Sequence, residues 1–251
     1  LLGSDNGIYN YIPKFNKLIK NVDDDKKEDD DDQENEVAVQ DAKAEEEDNE
    51  VFKDYDENVV FIFHSKSADK KPGKGIHEKI PKDRIDDFKE LAKEKDWRKV
   101  LSNFWVVVKP FELDGHTWNS VEHYYHAHKF EKNNPEFFRL FTMNSKSEIA
   151  TDPRKALGAG GRTGYIKDVS GKRKLFRDKN IKMDSDFFSD LRNEKVMEEG
   201  QRLKYTQDDL SKKVLLATGD AKLVHLETRR GQKTKEIPFI NTMKIRKELE
   251  N

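Results

Sequence analysis

The spacing of hydrophobic positions changes along this chain, and each spacing predicts a type of secondary structure. Runs of β-branched and aromatic residues predict strands, while apolar residues three and four positions apart predict helices. We therefore expect strands at residues 59–64, 106–108, 111–113, 117–118 and 222–226. The same patterns predict helices at residues 83–100, 119–132, 135–143, 145–157, 189–205, 207–217 and 238–249.

Turn-forming residues separate these predicted elements. Asp114-Gly115 predicts a tight hairpin turn. Residues 66–82 and 158–180 are rich in glycine and in basic residues, so we expect loops there. Because predicted helices outnumber predicted strands, the fold class that we expect is α+β, a helix-dominated single domain with a small sheet.

The polar content divides the chain into three regions. Residues 1–21 form a short amphipathic segment, in which apolar residues share one face of a predicted helix: Ile8, Tyr11, Phe15, Leu18 and Ile19. Residues 22–57 are an acidic, low-complexity tract that we expect to be a disordered linker, since little of it can be buried. Residues 58–251 hold the predicted domain.

Charge is distributed very unevenly among these regions. The acidic tract holds 19 Asp and Glu against 4 Lys and Arg, a net charge of −15, and residues 1–21 have a net charge of +2. The whole chain has a net charge of −2, so residues 58–251 have a net charge of +11. A basic domain attracts phosphate groups, which makes nucleic acid a possible partner; a solvated, lysine-rich surface explains the charge equally well.

The absence of cysteine excludes disulfides, thiolate metal sites and a cysteine nucleophile. No apolar run approaches the roughly 20 residues of a membrane span, so we expect no membrane partner. These features favour a cytoplasmic or nuclear, intracellular location.

The candidate chemistry lies in residues 118–125, Trp-Asn-Ser-Val-Glu-His-Tyr-Tyr. Asn119 is a favourable N-cap, which places Glu122 at the third helical position. A glutamate there closes a capping box and is stabilised by the helix dipole. The same carboxylate, flanked by aromatic rings, is suited to activate a water beside a sugar. Both interpretations stay open, and they are compatible.

Several separated motifs together resemble the NADAR family. They are Ser-Asn-Phe at 102–104, Phe-Glu-Leu-Asp-Gly-His-Thr-Trp at 111–118, Ser-Val-Glu-His-Tyr-Tyr at 120–125, Ala-His-Lys-Phe at 127–130, Gly-Arg at 161–162, Lys-Tyr-Thr-Gln at 204–207 and Leu-Leu-Ala-Thr-Gly-Asp-Ala-Lys-Leu-Val at 215–224. The resemblance implies an α+β N-glycosidase or a binder of ADP-ribose-like ligands. Family members act on ribosylated riboflavin-pathway intermediates or on ADP-ribosylated guanine in DNA.

The resemblance also implies roles for individual residues. Glu122 matches the catalytic glutamate, and such a carboxylate stabilises the oxocarbenium-like charge that develops during N-glycoside hydrolysis. We expect ligand contacts from aromatic, polar and basic side chains around it. The expected substrate-binding residues are Ser102, Asn103, Phe104, Trp118, His123, Tyr124, Lys129, Gly161 and Arg162. The ligand is expected to be ADP-ribose or a ribosyl phosphate, with no cofactor.

Two departures from the family pattern leave a second interpretation open. Many members have a tryptophan near residues 186–188, where this chain has Asp-Phe-Phe, and a tryptophan- and glycine-rich loop near residues 226–237. Here that loop contains Arg229 and Arg230, which would suit a polyanionic substrate such as DNA. The alternative function is a non-catalytic ADP-ribose- or nucleotide-binding module, or a component of a larger assembly.

Three histidines within one predicted helix do not indicate a metal site. His128 lies about 140° around the helix from His123 and about 160° from His126, at roughly 100° per residue, so the three side chains cannot converge on one ion. Residues 158–164 are glycine-rich but lack the spacing of a nucleotide-hydrolase loop. We therefore expect no bound metal.

Overall fold

The computed structural model describes residues 20–21, 52–167, 171–227 and 235–250. Within them the chain forms helices and three small sheets, and the predicted α+β class is confirmed. The amphipathic helix predicted in the first 21 residues lies outside the described residues, except that Lys20–Asn21 forms a short strand, β1. Most of the predicted acidic linker also lies outside them.

One sheet joins distant parts of the chain. Strand β7 (Ala221–Glu227) lies in its centre, parallel to β2 (Asp56–Ile62) and antiparallel to β8 (Lys235–Pro238). Strand β2 thus begins two residues before the predicted domain boundary. The last helix, α7, spans Ile240–Glu250. Pro238 was predicted to open this helix, but it closes β8, where proline is tolerated at a strand end.

The helix predicted for residues 83–100 is wrong. The chain instead forms 3₁₀ turns at Lys82–Phe88 and Leu91–Lys93, followed by a short helix, α1, at Trp97–Leu101. Asp96 has φ of 54°, in the left-handed region, which separates the last turn from α1. Of the apolar residues that predicted this helix, Phe88, Leu91 and Trp97 are buried, while Ile85 and Ala92 are exposed.

The predicted hairpin is present. Strands β3 (Phe111–Leu113) and β4 (His116–Trp118) pair through a turn in which Asp114 and Gly115 both have positive φ, 50° and 75°. This conformation matches the right-handed twist of a hairpin. The strand predicted for residues 106–108 is absent; Val106 and Val108 are exposed there.

The middle of the chain differs from the prediction in both its helices and its loop. Helices α2 (Val121–His128), α3 (Pro135–Arg139) and α4 (Pro153–Gly160) are shorter than the predicted elements or shifted from them. The predicted loop at 158–180 contains the end of α4 and two paired strands, β5 (Tyr165–Lys167) and β6 (Arg173–Leu175). Its many polar side chains concealed the strand pattern.

The two helices predicted at residues 189–205 and 207–217 are both present, with bounds shifted by one to three residues. Helix α5 (Arg192–Gln207) and helix α6 (Asp209–Leu216) meet at Asp208, whose carboxylate accepts a hydrogen bond from the N–H of Ser211 at 3.0 Å. Helix α2 packs between α4 and α5, so nearly all of its side chains are buried. The polar residues of α2 therefore lie inside the domain, not on its surface.

Candidate functional site

Glu122 lies in the first turn of α2, but not at the predicted position. Ser120 is the N-cap, and its Oγ accepts a hydrogen bond from the N–H of His123 at 3.2 Å. The prediction that Asn119 caps the helix is wrong, because the Asn119 amide instead donates to the carbonyl oxygen of Ala150 at 3.0 Å. Glu122 is therefore at the second helical position, and no capping box forms.

The Glu122 side chain is buried, at 1 % exposure, and contacts a histidine one turn further along α2. His126 Nε2 lies 2.9 Å from Glu122 Oε1. Burial, followed by the charge of Lys129, lowers the pKa of His126 well below its usual 6.5. His126 is therefore neutral at pH 7, and its Nε2–H donates to the carboxylate. This donor and the nearby helix N-terminus both favour the ionised form of Glu122.

Lys129 continues the same face of α2, seven residues after Glu122. The Lys129 side chain is buried, at 1 % exposure, and its Nζ lies 4.9 Å from the ring centre of Tyr125, 5.9 Å from Phe187 and 5.6 Å from Phe188. Aromatic faces stabilise a cation by their quadrupole. The Glu122 face of α2 thus carries, in order, a carboxylate, a neutral imidazole and an ammonium.

The end of α4 contacts this face. A Cβ added at Gly160 would lie 2.3 Å from His126 Nδ1, so only glycine allows the two helices to approach so closely. Gly161 follows and is buried, while the Arg162 side chain is exposed. Arg177 holds this segment in place, since its guanidinium donates to the carbonyl oxygens of Ala159 at 2.9 Å and Arg162 at 3.0 Å.

The Ser102–Asn103 segment reaches the start of α2 from the other side. The carbonyl oxygen of Asn103 accepts a hydrogen bond from the N–H of Glu122 at 3.1 Å. Ser102 is buried, and its Oγ accepts from the N–H of Phe104 at 3.2 Å. The backbone of Asn103 therefore contacts the first turn of α2, which carries Glu122.

Three of the predicted ligand-binding residues lie in the core. His123 is fully buried, with Nδ1 2.7 Å from Ser120 Oγ and Nε2 3.1 Å from the carbonyl oxygen of Ile149; burial lowers its pKa to about 4. Trp118 and Tyr124 stack edge to face, with ring centres 5.2 Å apart. Both rings are 1 % exposed. Their surroundings are those of packing residues.

Phe104 and Phe188 have more open positions. Phe104 is half-buried and packs on the edge of the core around α2. Phe188 is 43 % exposed, and its ring centre lies 5.0 Å from that of the buried Phe187. Of the three aromatic rings around Lys129, that of Phe188 is the one exposed at the surface.

Two ion pairs of Arg192 fix the segment that contains Phe187 and Phe188. Arg192 donates to Asp184 at 3.0 Å and to Asp186 at 3.0 Å. Asp184 also accepts hydrogen bonds from the N–H groups of Lys132 and Asn133 after the end of α2. Residues 184–192 are thus held against the Lys129 end of the candidate site.

Sequence reasoning did not identify several polar residues that build the site. The largest omission is His126, because the histidines of this helix were interpreted only as possible metal ligands. Its separation of four residues from Glu122 was the available signal, because residues i and i+4 are neighbours on a helix. Among the described residues, no group of three or more His, Asp or Glu is arranged to hold a metal ion. Nor does any described helix have the length and apolar character of a membrane span.

Comparisons with known proteins agree with the motifs. The model of the NADAR domain matches residues 88–230, more than half of the chain, so the protein belongs to the NADAR family. This family is linked to N-glycosidase activity and to ADP-ribose-related ligands. A solved structure that the chain resembles is the NMR structure of the E. coli protein YbiA. It is 23 % identical, the match covers 67 % of each chain and the TM-score is 0.34, too low to support an argument. A comparison with curated proteins found no match.

Proposed function

We propose that this protein is an N-glycosidase that hydrolyses the bond between ribose and base in ADP-ribosylated guanine of nucleic acid, or in a base linked to ribose phosphate. The observation that supports this most directly is the arrangement of Glu122, a buried carboxylate at a helix N-terminus that accepts a hydrogen bond from neutral His126. Family membership agrees with this reaction class.

The proposed reaction uses water as the nucleophile. The bond between the anomeric carbon and the base nitrogen breaks, and positive charge develops on the ribose. Glu122 stabilises that charge and accepts the proton of the attacking water, whose oxygen forms the new bond to the anomeric carbon. The departing base nitrogen takes up a proton from solvent, and Glu122 later returns the proton of the water to solvent, so the protons balance. Because a carboxylate has about four acceptor positions, Glu122 can hold His126 and a water together.

The remaining family positions supply binding contacts in this proposal. Asn103 lies beside Glu122 through their backbone hydrogen bond, so its amide is suited to contact the ribose. Arg162 is exposed next to Gly161, and a guanidinium pairs with phosphate in a bidentate manner. Lys129 supplies positive charge at the far end of the site. The net charge of +11 on residues 58–251 favours a nucleic acid substrate over a small ribosyl phosphate.

The decisive experiment measures release of free ADP-ribose from DNA that carries ADP-ribosylated guanine. We expect release by the parent chain and a loss of about 10²–10⁴-fold in Glu122→Gln, the usual contribution of a positioned general base. Glu199→Gln is the matched control, because Glu199 is a carboxylate on α5 that accepts a hydrogen bond from the hydroxyl of Tyr124. Equal activity of the parent and Glu122→Gln would reject the assignment.

A non-catalytic ADP-ribose-binding module is the second candidate. The observation in its favour is the 1 % exposure of Glu122, which is typical of a carboxylate with a structural role. A binding module would bind ADP-ribose and release none from either substrate class. Testing ribose-phosphate-linked bases together with ADP-ribosylated DNA distinguishes this outcome from a wrong choice of substrate.

A further inference from the structure

One face of α5 fixes the backbone that leads to Asn103. Lys204 Nζ donates to the carbonyl oxygens of Val100 at 2.5 Å and Ser102 at 2.8 Å. The hydroxyl of Tyr205 donates to the carbonyl oxygen of Leu101 at 3.0 Å. The carbonyl groups of Val100 and Leu101 lie at the end of α1, where no helical partner is available. The carbonyl oxygen of Ser102, just after the helix, also accepts the N–H of Trp105 at 3.1 Å. The path of the chain into the candidate site therefore depends on α5.

Gln201 lies on the same face of α5 and contacts the Asn103 side chain itself. Gln201 Nε2 donates to Asn103 Oδ1 at 3.3 Å. Asn103 Nδ2 in turn lies 3.3 Å from the thioether sulfur of Met197, one helical turn before Gln201. Since the Asn103 carbonyl accepts the N–H of Glu122, Gln201 is only one residue removed from the candidate catalytic carboxylate.

The two amides have unused hydrogen-bonding capacity. Gln201 is 3 % exposed, and its Oε1 is buried with no hydrogen-bond partner. A thioether is a weak acceptor, so Asn103 Nδ2 is a poorly used donor. Buried polar groups are nearly always paired, and an unpaired one in a native structure needs an explanation. A ligand that forms a hydrogen bond with such a buried polar atom offsets the free-energy penalty of its burial.

The pair presents one donor and one acceptor, Asn103 Nδ2 and Gln201 Oε1. Turning both amides over exchanges the two roles but again leaves one donor and one acceptor. A hydroxyl group both donates and accepts a hydrogen bond, so it satisfies the pair in either orientation. A phosphate oxygen only accepts, and an ammonium only donates, so neither satisfies both atoms.

We infer that Gln201 is a further substrate-binding residue, which together with Asn103 binds a hydroxyl group of the ribose at the bond that is cleaved. The inference rests on the proposed function, in which Glu122 acts at the anomeric carbon. The ribose hydroxyls closest to that carbon then lie beside Asn103, the residue joined to Glu122 by a backbone hydrogen bond.

Calorimetric titration with three ligands tests this role. The ligands are ADP-ribose and the two analogues whose terminal ribose lacks its 2-hydroxyl or its 3-hydroxyl. Gln201→Met keeps the side-chain volume and removes the amide. We expect it to weaken ADP-ribose binding about tenfold, the usual size of one hydrogen bond. It should leave the affinity for one of the two deoxy analogues unchanged, because that ligand already lacks the partner group.

Gln207→Met is the matched control on the same helix. Both amide atoms of Gln207 are paired, since Oε1 accepts the N–H of Glu112 at 2.9 Å and Nε2 donates to its carbonyl oxygen at 3.0 Å. This variant should bind all three ligands like the parent. Gln201→Met should melt close to the parent temperature, because it removes an unpaired buried acceptor together with one long hydrogen bond.

The outcomes separate the inference from the proposed function. An equal loss of affinity for all three ligands, or no loss, would overturn the role of Gln201 and leave hydrolysis by Glu122 untouched. A parent chain that binds none of the ligands would also overturn it. Binding needs no turnover, so a parent that binds ADP-ribose with the predicted dependence on Gln201 but hydrolyses nothing would contradict only the catalytic proposal.

Discussion

His126 donates a hydrogen bond to Glu122 across one turn of α2, with 2.9 Å between Nε2 and Oε1. Both side chains are buried. Because His126 is neutral, it stabilises the carboxylate by hydrogen bonding and not by a full positive charge. His126 is therefore one identifiable donor to the Glu122 carboxylate, and removing it has a predictable effect.

Replacing His126 with phenylalanine should shift the pH dependence of hydrolysis. Without the Nε2–H donor, the buried Glu122 carboxylate loses stabilisation of its charged form, which raises its pKa. The acidic limb of the kcat/KM profile should move to higher pH. His123→Phe is the control, since His123 is equally buried in α2 but contacts Ser120 and Ile149. An acidic limb that stays in place in His126→Phe would contradict this view of the pair.

Gly160→Ala should disturb the same pair through packing. The added Cβ would lie 2.3 Å from Nδ1 and 2.6 Å from Cβ of His126, so α4 must move or the ring must turn. We expect a loss of about 1–3 kcal/mol in unfolding free energy, typical of overpacking, together with reduced hydrolysis.

Gly158→Ala serves as its control. There the added Cβ meets Ile166 in β5, at 2.0 Å from Cγ2, and is directed away from His126. This variant should lose stability in a urea titration while hydrolysis per folded molecule stays close to the parent value. Equal effects of the two variants on hydrolysis would show that the contact between Gly160 and His126 has no special role.

Buried histidines should make the domain less stable in acid. Burial lowers the pKa of His123 and of His225 to about 4, and that of His126 well below 6.5. Below pH 6.5 the unfolded chain binds protons that the folded chain does not, so stability falls as the pH decreases from 6.5 towards 4. The urea midpoint should be lower at pH 5 than at pH 7.5. His225→Phe should reduce this difference; an unchanged difference would count against the burial argument.

Burial of Lys204 predicts that stability continues to rise with pH above pH 7. Burial lowers its pKa to about 7, against about 10.4 in an unfolded chain. Between pH 7 and about 9.5 the unfolded chain therefore holds a proton that the folded chain has lost, and stability rises with pH. A neutral amine has two N–H donors, which match the carbonyl oxygens of Val100 and Ser102. In Lys204→Met the rise between pH 7 and pH 9 should be reduced; a rise as large as in the parent would assign it to other groups.

The sequence located the start of α2 well because the signals there are local. Ser120 and Asn119 are nearly equal as N-caps, so propensity could not choose between them. The choice depends on Ala150, whose carbonyl oxygen engages the Asn119 amide from 31 residues away. The position of Glu122 within the first turn was therefore predicted to within one residue, and its capping role was not predicted correctly.

The polar residues behind the site were harder to predict for a physical reason. Gln201 and Lys204 lie in a helix with many charged residues, where a polar residue ordinarily faces water. Both are buried because α5 packs against α1 and α2, a contact that no local pattern reveals. Similarly, the break at Asp96 divides a region whose apolar spacing is compatible with one helix.

The central position of β7 means that the family match and the folding unit have different limits. Residues 88–230 include β7 but exclude β2, β8 and α7. A fragment cut at those limits would have both long edges of β7 open, and open edges template intermolecular pairing. It would also lose the buried Phe61 and Ile240 from the core. Such a fragment should aggregate while the full chain stays monodisperse. The residues that match the family model would then be too few to form the folded domain without the flanking strands and helix.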